Sequence, residues 1–278
     1  MELPIYQVDA FAEKPFEGNP AAIVPLTSWL PEEAMLAIAA ENNLAETAFF
    51  VPLQDGTGPE GADAAGGRYH LRWFTPTVEV DLCGHATLAS AHVLFTHLAP
   101  SLKDVRFETR SGELTVTREE SGRLQMDFPA RPMKPAAAPE GLAEALGARP
   151  LGVLKGVNLM ALFDRAEDVA ALRPDVLKLT RLCGPLNVGL IASAPGQEGS
   201  GIDYVSRFFA PAHGINEDPV TGSAHCDSGP YWAKRLGKDA LVARQISKRG
   251  GTVHLRIKGE RVELAGTCAD FMQGTIHI

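Results

Sequence analysis

Two glycine-led segments, Asp81-Leu82-Cys83-Gly84-His85-Ala86-Thr87 and Glu217-Asp218-Pro219-Val220-Thr221-Gly222-Ser223-Ala224, each run into a stretch that reads as a helix. Gly84 and Gly222 stand 138 residues apart, and the Ser111-Gly112 and Arg249-Gly250 pairs that follow them are separated by the same 138. A repeat at that spacing points to two similar halves of one architecture. It can also place two helix N-termini, whose first amides have no partner within the helix, around one small anion.

A chain of 278 residues suits about two domains. The net charge of -8, from 34 acidic against 26 basic residues, argues against nucleic acid or an anionic membrane as partner. Met1-Glu2-Leu3-Pro4-Ile5-Tyr6-Gln7-Val8-Asp9 alternates and is acidic, which reads as a first strand of a cytoplasmic protein and not as a secretion signal. No apolar run approaches the roughly 20 residues that cross a bilayer, so a soluble chain is expected. Cys83, Cys183, Cys226 and Cys268 are far apart and lack the spacing of a zinc or disulfide framework. The histidines show no metal set either: His92 reads as a helix-interior residue, His213 as a loop residue, and His225 lacks a His-x-x-x-His or His-x-His partner. With no Gly-x-Gly-x-x-Gly after the first strand and no Walker-type loop, neither metal nor nucleotide cofactor is expected.

Period-two apolar patterns predict strands at 5–11, 47–51, 70–74, 105–107, 113–117, 124–128, 187–191, 253–257 and 261–264. Helices are predicted at 31–42, 86–98, 139–146 and 223–236, with Pro230 expected to kink or interrupt the last. The helix from Ala86 is apolar on nearly every side and should be enclosed by sheet. Residues 129–139 are proline-rich and read as a linker, giving domains 1–128 and 129–278. Duplicated halves often exchange a terminal strand, so a return of 268–278 to the first half stays open. Gln54 to Gly67, rich in Gly, Ala and Asp, reads as a surface loop.

Glu46 sits where a polar helix end, Glu41-Asn42-Asn43, turns into an apolar strand. A carboxylate at such a junction can be tuned for proton transfer. His85 follows the first glycine, where the helix dipole favours a neutral imidazole. Asp218 precedes a second loop-to-helix turn with a capping hydroxyl available at Thr221 or Ser223, and the amides after Gly222 suit a substrate carboxylate. Cys83 and Cys226 raise a thiol mechanism, but the 138-residue offset pairs Cys83 with Thr221, which favours buried inert cysteines.

In order along the chain, Gln7-Val8-Asp9-Ala10-Phe11, Phe16-Glu17-Gly18-Asn19-Pro20, Asn43-Leu44-Ala45-Glu46-Thr47, Arg72-Trp73-Phe74-Thr75-Pro76, the two glycine-led segments, Ser247 to Gly251 and Gln273-Gly274 resemble the PhzF-like phenazine biosynthesis isomerase family. That resemblance implies an α+β, diaminopimelate-epimerase-like fold: two pseudo-symmetric domains, each a curved, barrel-like, mostly antiparallel sheet around a central helix, with the active-site cleft between them, in a homodimer. By motif, the family's proton-carrying roles fall on Glu46, His85 and Asp218. Gly84, Gly222 and Ser223 would bind a substrate carboxylate, Asn19 or Asp9 would shape the site, and Cys83 occupies the place of a catalytic thiol in the related epimerases.

The expected function is a cofactor-independent isomerase that moves a proton between carbons of a small hydroxy or amino carboxylate. A cysteine-assisted amino-acid racemase or epimerase is the enzymatic alternative. A metabolite-binding or scaffold protein on the same fold is the non-catalytic one.

Overall fold

Parity along short strands decides which side chains meet which helix in this protein, because successive residues of a strand point to opposite faces. The computed structural model describes residues 1–53 and 67–278, so all but Gly67 of the loop expected at 54–67 lies outside the described residues. The chain divides into two units, 1–127 with 265–278, and 128–264.

In the first unit β1 (Glu2–Ala10) pairs antiparallel with β2 (Asn19–Pro25), and β2 pairs parallel with β3 (Glu46–Pro52) across helix α1 (Glu32–Asn42). β4 (Arg68–Phe74) lies antiparallel to β3, antiparallel to the short β5 (Glu79–Val80) and parallel to β6 (Asp104–Thr109). The buried helix α2 (Gly84–Val93) separates β5 from β6. β7 (Gly112–Arg118) and β8 (Leu124–Pro129) continue antiparallel, and β18 (Cys268–His277) pairs with β1 from the other end of the chain.

The second unit repeats this pattern. β9 (Lys134–Ala136), β10 (Gly152–Lys155) and β11 (Leu159–Leu162) pair antiparallel in turn, and β11 pairs parallel with β12 (Leu190–Pro195). β13 (Tyr204–Ala210) is antiparallel to β12 and to β14 (Ile215–Asp218), and parallel to β15 (Ala240–Gln245). Helix α6 (Gly222–Leu236) lies between β14 and β15, and β16 (Gly251–Lys258) and β17 (Arg261–Gly266) follow. Helices α3 (Leu142–Leu146), α4 (Ala166–Ala171) and α5 (Val176–Cys183) stand where the first unit has α1 alone. This is the α+β, diaminopimelate-epimerase-like fold, with mixed sheets and a central helix in each half.

Each sheet is apolar on both faces. In the first unit Ala22, Val24, Phe49 and Val51 pack with Leu3, Ile5, Met35 and Ile38 under α1. The opposite parity of β2 and β3 faces α2, which is buried from His85 to Ala91 and at Val93. Fully buried Leu88 and Leu94 each contribute about 1.5–3 kcal/mol relative to exposure. In the second unit Leu190, Ala192 and Ala194 pack under α3, α4 and α5, while Ile191 joins Met160, Phe208 and Ala224 on the α6 side.

Several expectations need correction. The strand placed at 187–191 is β12 at 190–195, because Asn187 takes the left-handed conformation that ends the preceding helical turn. The supposed linker 129–139 contains β9 and is anchored by the Ala130 amide on the Glu260 carbonyl. The helix placed at 139–146 starts only at Leu142, after Gly141 at φ 81°. Pro230 does not interrupt α6: the carbonyl its missing N–H leaves free, that of Cys226, accepts the Arg131 amide at 3.0 Å. No helix of the described residues is long and apolar enough to cross a membrane.

Candidate active site

Glu46 is aimed by its neighbours. Asn43 closes α1 in the left-handed conformation, its amide on the Ala39 carbonyl, and the Asn42 side chain donates to the Thr47 hydroxyl at 3.1 Å. Tying Thr47 to the α1 side turns Glu46 to the α2 side, and the parallel register sets it opposite Ala21, on the same face as Asn19. Asn19 is fully buried.

On that face the structure brings together Glu46, Cys83 and His85. The His85 Nε2 is 3.2 Å from Glu46 Oε2, with side-chain exposures of 8% and 13%. The contact meets the distance of an ion pair but not the alignment of a hydrogen bond, so Oε2 has no well-aimed donor among the described residues. The Cys83 Sγ lies 3.5 Å from His85 Nδ1. Cys83 is the residue before α2, and no side chain caps the helix.

Burial alone would raise the Glu46 carboxyl, but the His85 charge and the Cys83 thiol overcome it and hold it below the ordinary value. Burial opposes charge on His85 too, yet the facing Glu46 carboxylate, with Cys83 hydrogen-bonded to the ring, holds it above the usual imidazole range. The neutral imidazole expected from the helix dipole therefore gives way to a carboxylate–imidazolium pair. Burial, and next the Glu46 charge, push Cys83 up to about 11, so it is a thiol at neutral pH. The opposite shifts stabilise a carboxylate on Glu46 and an imidazolium on His85, the two charges of one ion pair. Glu46, Cys83 and His85 also offer three ligand atoms within 4.8 Å of one another, which could hold a divalent ion.

Asp218, Gly222 and Ser223 lie in the second unit in a network of their own. Asp218 is buried at the end of β14, and its Oδ2 accepts a short hydrogen bond from the Thr221 hydroxyl. The hydroxyl expected to cap α6 is thus turned onto Asp218, and no side chain caps the helix. Gln245, fully buried, accepts the Thr221 amide at 2.9 Å and donates to the Asp218 carbonyl at 2.7 Å. Ser247 donates to the Pro219 carbonyl at 2.7 Å. Gly222 is the first residue of α6 and Ser223 is exposed beside it. Cys226 lies inside the helix with its thiol toward the Gly222 carbonyl.

Sequence reasoning missed Gln245 and a duplicated arginine fork. Arg72 holds Glu79 through Nε and Nη2 at 2.7 and 2.6 Å, and Arg207 holds Glu217 in the same way at 2.7 and 2.8 Å. Each guanidinium also lies over the phenylalanine two residues on, Phe74 at 5.1 Å and Phe209 at 5.0 Å. The two glutamates keep the 138-residue offset; the arginines are 135 apart, because the second connection is three residues longer. These forks fix the short strands that lead into Cys83-Gly84 and Thr221-Gly222.

The structure also groups two histidines that the sequence analysis left apart. His92, His97 and Asp270 converge in the first unit, because a turn wider than α brings residues five apart onto one face.

The model of the family "Phenazine biosynthesis-like protein" matches residues 8–274. An uncharacterized isomerase of Pseudomonas aeruginosa is 51% identical over 278 residues, covering all of both chains. The crystal structure of a phenazine biosynthesis protein of the PhzF family from Enterococcus faecalis superposes with a TM-score of 0.90 at 42% identity over the whole of both chains. A phenazine biosynthesis PhzC/PhzF protein from Clostridium difficile gives 0.87 at 40%, covering 99% of this chain and 100% of that one. Motifs, fold and these likenesses agree, and the chain belongs to the phenazine biosynthesis-like, or PhzF, family.

Proposed function

We propose that this protein is an isomerase that uses its own side chains to move a proton between carbons of a small carboxylate. The observation that carries the reading is the buried Glu46–His85 pair, 3.2 Å apart, with the carboxylate ionised and its Oε2 lacking an aligned donor. Glu46 takes a proton from an acidic carbon as the C–H electrons delocalise into the substrate, and returns that proton, or a solvent proton exchanged for it on the carboxyl, to a second carbon. No net proton is gained or lost. His85, as imidazolium, stabilises the charge that develops. The similarity to relatives called isomerases supports the same class.

Asp218 is assigned the role of a second proton carrier, held in place by Thr221 and Gln245. The first amides of α6, at Gly222 and Ser223, are assigned to the substrate carboxylate, with Gly84 and Asn19 as further substrate contacts. A homodimer completes the proposal and is checked by light scattering in solution.

The thiol alternative, Cys83 working with Cys226 or Glu46, is less well supported because Cys83 is protonated near neutral pH. Turnover of a panel of small unsaturated and α-amino carboxylates, followed as isomer ratios, separates the readings. Glu46→Gln is expected to lose about 10²–10⁴-fold in kcat, and Cys83→Ser to stay within tenfold of the parent. The opposite order of losses would establish the racemase chemistry, and tight ligand binding without turnover would favour a binding protein.

A further inference from the structure

Helix α2 carries His85 in its first turn and runs on, past Val93, into a π-helical turn at Leu94–Leu98. There the Ala99 amide donates to the Leu94 carbonyl five residues back at 2.7 Å. The wider turn puts His92 and His97 on one face. Opposite them lies Asp270 on β18, beside a second irregularity. The register of β18 on β1 runs from Met272 opposite Gln7 to Asp270 opposite Val8, which leaves Phe271 as the extra residue of a bulge. Such insertions re-aim side chains. Here the Asp270 carboxylate faces both rings, Oδ1 at 3.1 Å from His92 Nε2 and Oδ2 at 3.1 Å from His97 Nε2. The two rings are inclined at 82°, and His97 is stacked on Tyr6 at 5.1 Å.

We propose that His92, His97 and Asp270 form a binding site for a divalent transition-metal ion of the zinc type. Two imidazole nitrogens and a carboxylate are a donor set that suits such an ion. Ligand bonds of about 2.0–2.1 Å in a tetrahedron put donor atoms about 3.3 Å apart. The nitrogen–oxygen separations of 3.1 Å, one to each carboxylate oxygen, are close to that edge, and one donor atom from each residue can be chosen so that all three lie within 4.8 Å of one another. Side-chain exposures of 17%, 24% and 44% leave a route for the ion and a fourth position for water. Tyr6 fixes the plane of the His97 ring. A bound ion would tie the far end of α2 to β18, the strand that closes the first unit from the end of the chain.

The test titrates Zn²⁺, and Co²⁺ as a spectroscopic probe, into full-length protein freed of metal by chelator and dialysis. The expected result is one saturable site per chain, a tetrahedral Co²⁺ spectrum and a Tm that rises with Zn²⁺. Asp270→Asn and His97→Gln should each weaken binding by at least the roughly 10–100-fold that loss of an outer-shell partner costs. Both side chains are partly exposed, and circular dichroism of the metal-free variants checks that they fold. Because Cys83, His85 and Glu46 also cluster, Cys83→Ser is titrated in parallel and is expected to bind as the parent does. Absence of saturable binding, or binding lost in Cys83→Ser and kept in both Asp270→Asn and His97→Gln, would overturn the proposal.

Discussion

At the scale of single residues, the raised His85 and lowered Glu46 make stability depend on pH in a defined way. A raised imidazole contributes fully below its unfolded value of about 6.5, and the contribution is lost as pH rises through the folded value. A lowered carboxyl contributes above about 4.5 and loses that contribution as pH falls through its folded value. Both contributions are therefore present between about pH 4.5 and 6.5. The stability advantage of the parent over His85→Gln should be largest there and decline as pH rises above it, by at most about 1.4 kcal/mol per pH unit, as measured by urea unfolding. A pH-independent difference would mean that the ring and carboxylate do not share charge. Gln245→Ala, which strips partners from the Thr221 amide and the Asp218 carbonyl, is expected to cost about 1–3 kcal/mol in the same assay. Glu46, Cys83 and His85 were legible because each sits inside a short contiguous motif. Gln245 was not, because its partners lie 24 and 27 residues away and a glutamine in a strand has no local signature. His97 escaped notice because its pairing with His92 needs a π-helical turn that the pattern of apolar residues does not encode.

Among the elements, the turn from β1 into β2 is the most constrained. Phe11 and Phe16 carry φ of 58° and 76°, unusual for bulky residues, and Gly18 follows at 64°. The buried Asp9 carboxylate accepts the Phe16 amide at 2.9 Å, which ties the turn back to β1. A Cβ on Gly18 would stand 2.1 Å from the Ala10 carbonyl oxygen. Gly18→Ala is expected to lower stability by about 2–4 kcal/mol, combining the left-handed backbone with a clash against main chain. A loss under half a kilocalorie in chemical denaturation would show that the turn relaxes freely. The same turn delivers Asn19, so this variant should also weaken substrate binding. β4, β6, β8 and β16 alternate between buried and wetter positions and were legible, and β3, buried at all but its ends, was found too. β2 is buried almost throughout and β13 on both faces, so neither alternates, and the three-residue β9 has Pro135 at its centre; all three were missed. Four helices were legible, α3 among them at only five residues, whereas α4 and α5 lie in a stretch where none was expected.

For the whole molecule, the path of the chain matters most. It builds most of the first unit, then all of the second, and returns at 265–278 to complete the first. β18 meets β1 along nine register pairs from Glu2 with His277 to Ala10 with Cys268. The first unit is thus finished only when the last residues are available, which makes its folding dependent on contacts far apart in sequence. A chain ending at Leu264 is expected to lose hydrogen-exchange protection in β1 and β2 and to keep it in β11, β12 and β13. Equal protection in both sets would show that β18 is dispensable. The internal repeat was legible from the 138-residue spacing of Gly84 and Gly222, which do begin α2 and α6. What the repeat does not preserve is chemistry: Cys83 and His85 in one half stand where Thr221 and Ser223 stand in the other.

The central claim is that Glu46 carries a proton between substrate carbons. Its most direct test is incubation of the protein with the carboxylate panel in deuterium oxide, following label by NMR and mass spectrometry beside Glu46→Gln. Label that enters, migrates or inverts at a substrate carbon with the parent and not with Glu46→Gln is the predicted result. Equal incorporation by the parent and Glu46→Gln would contradict it.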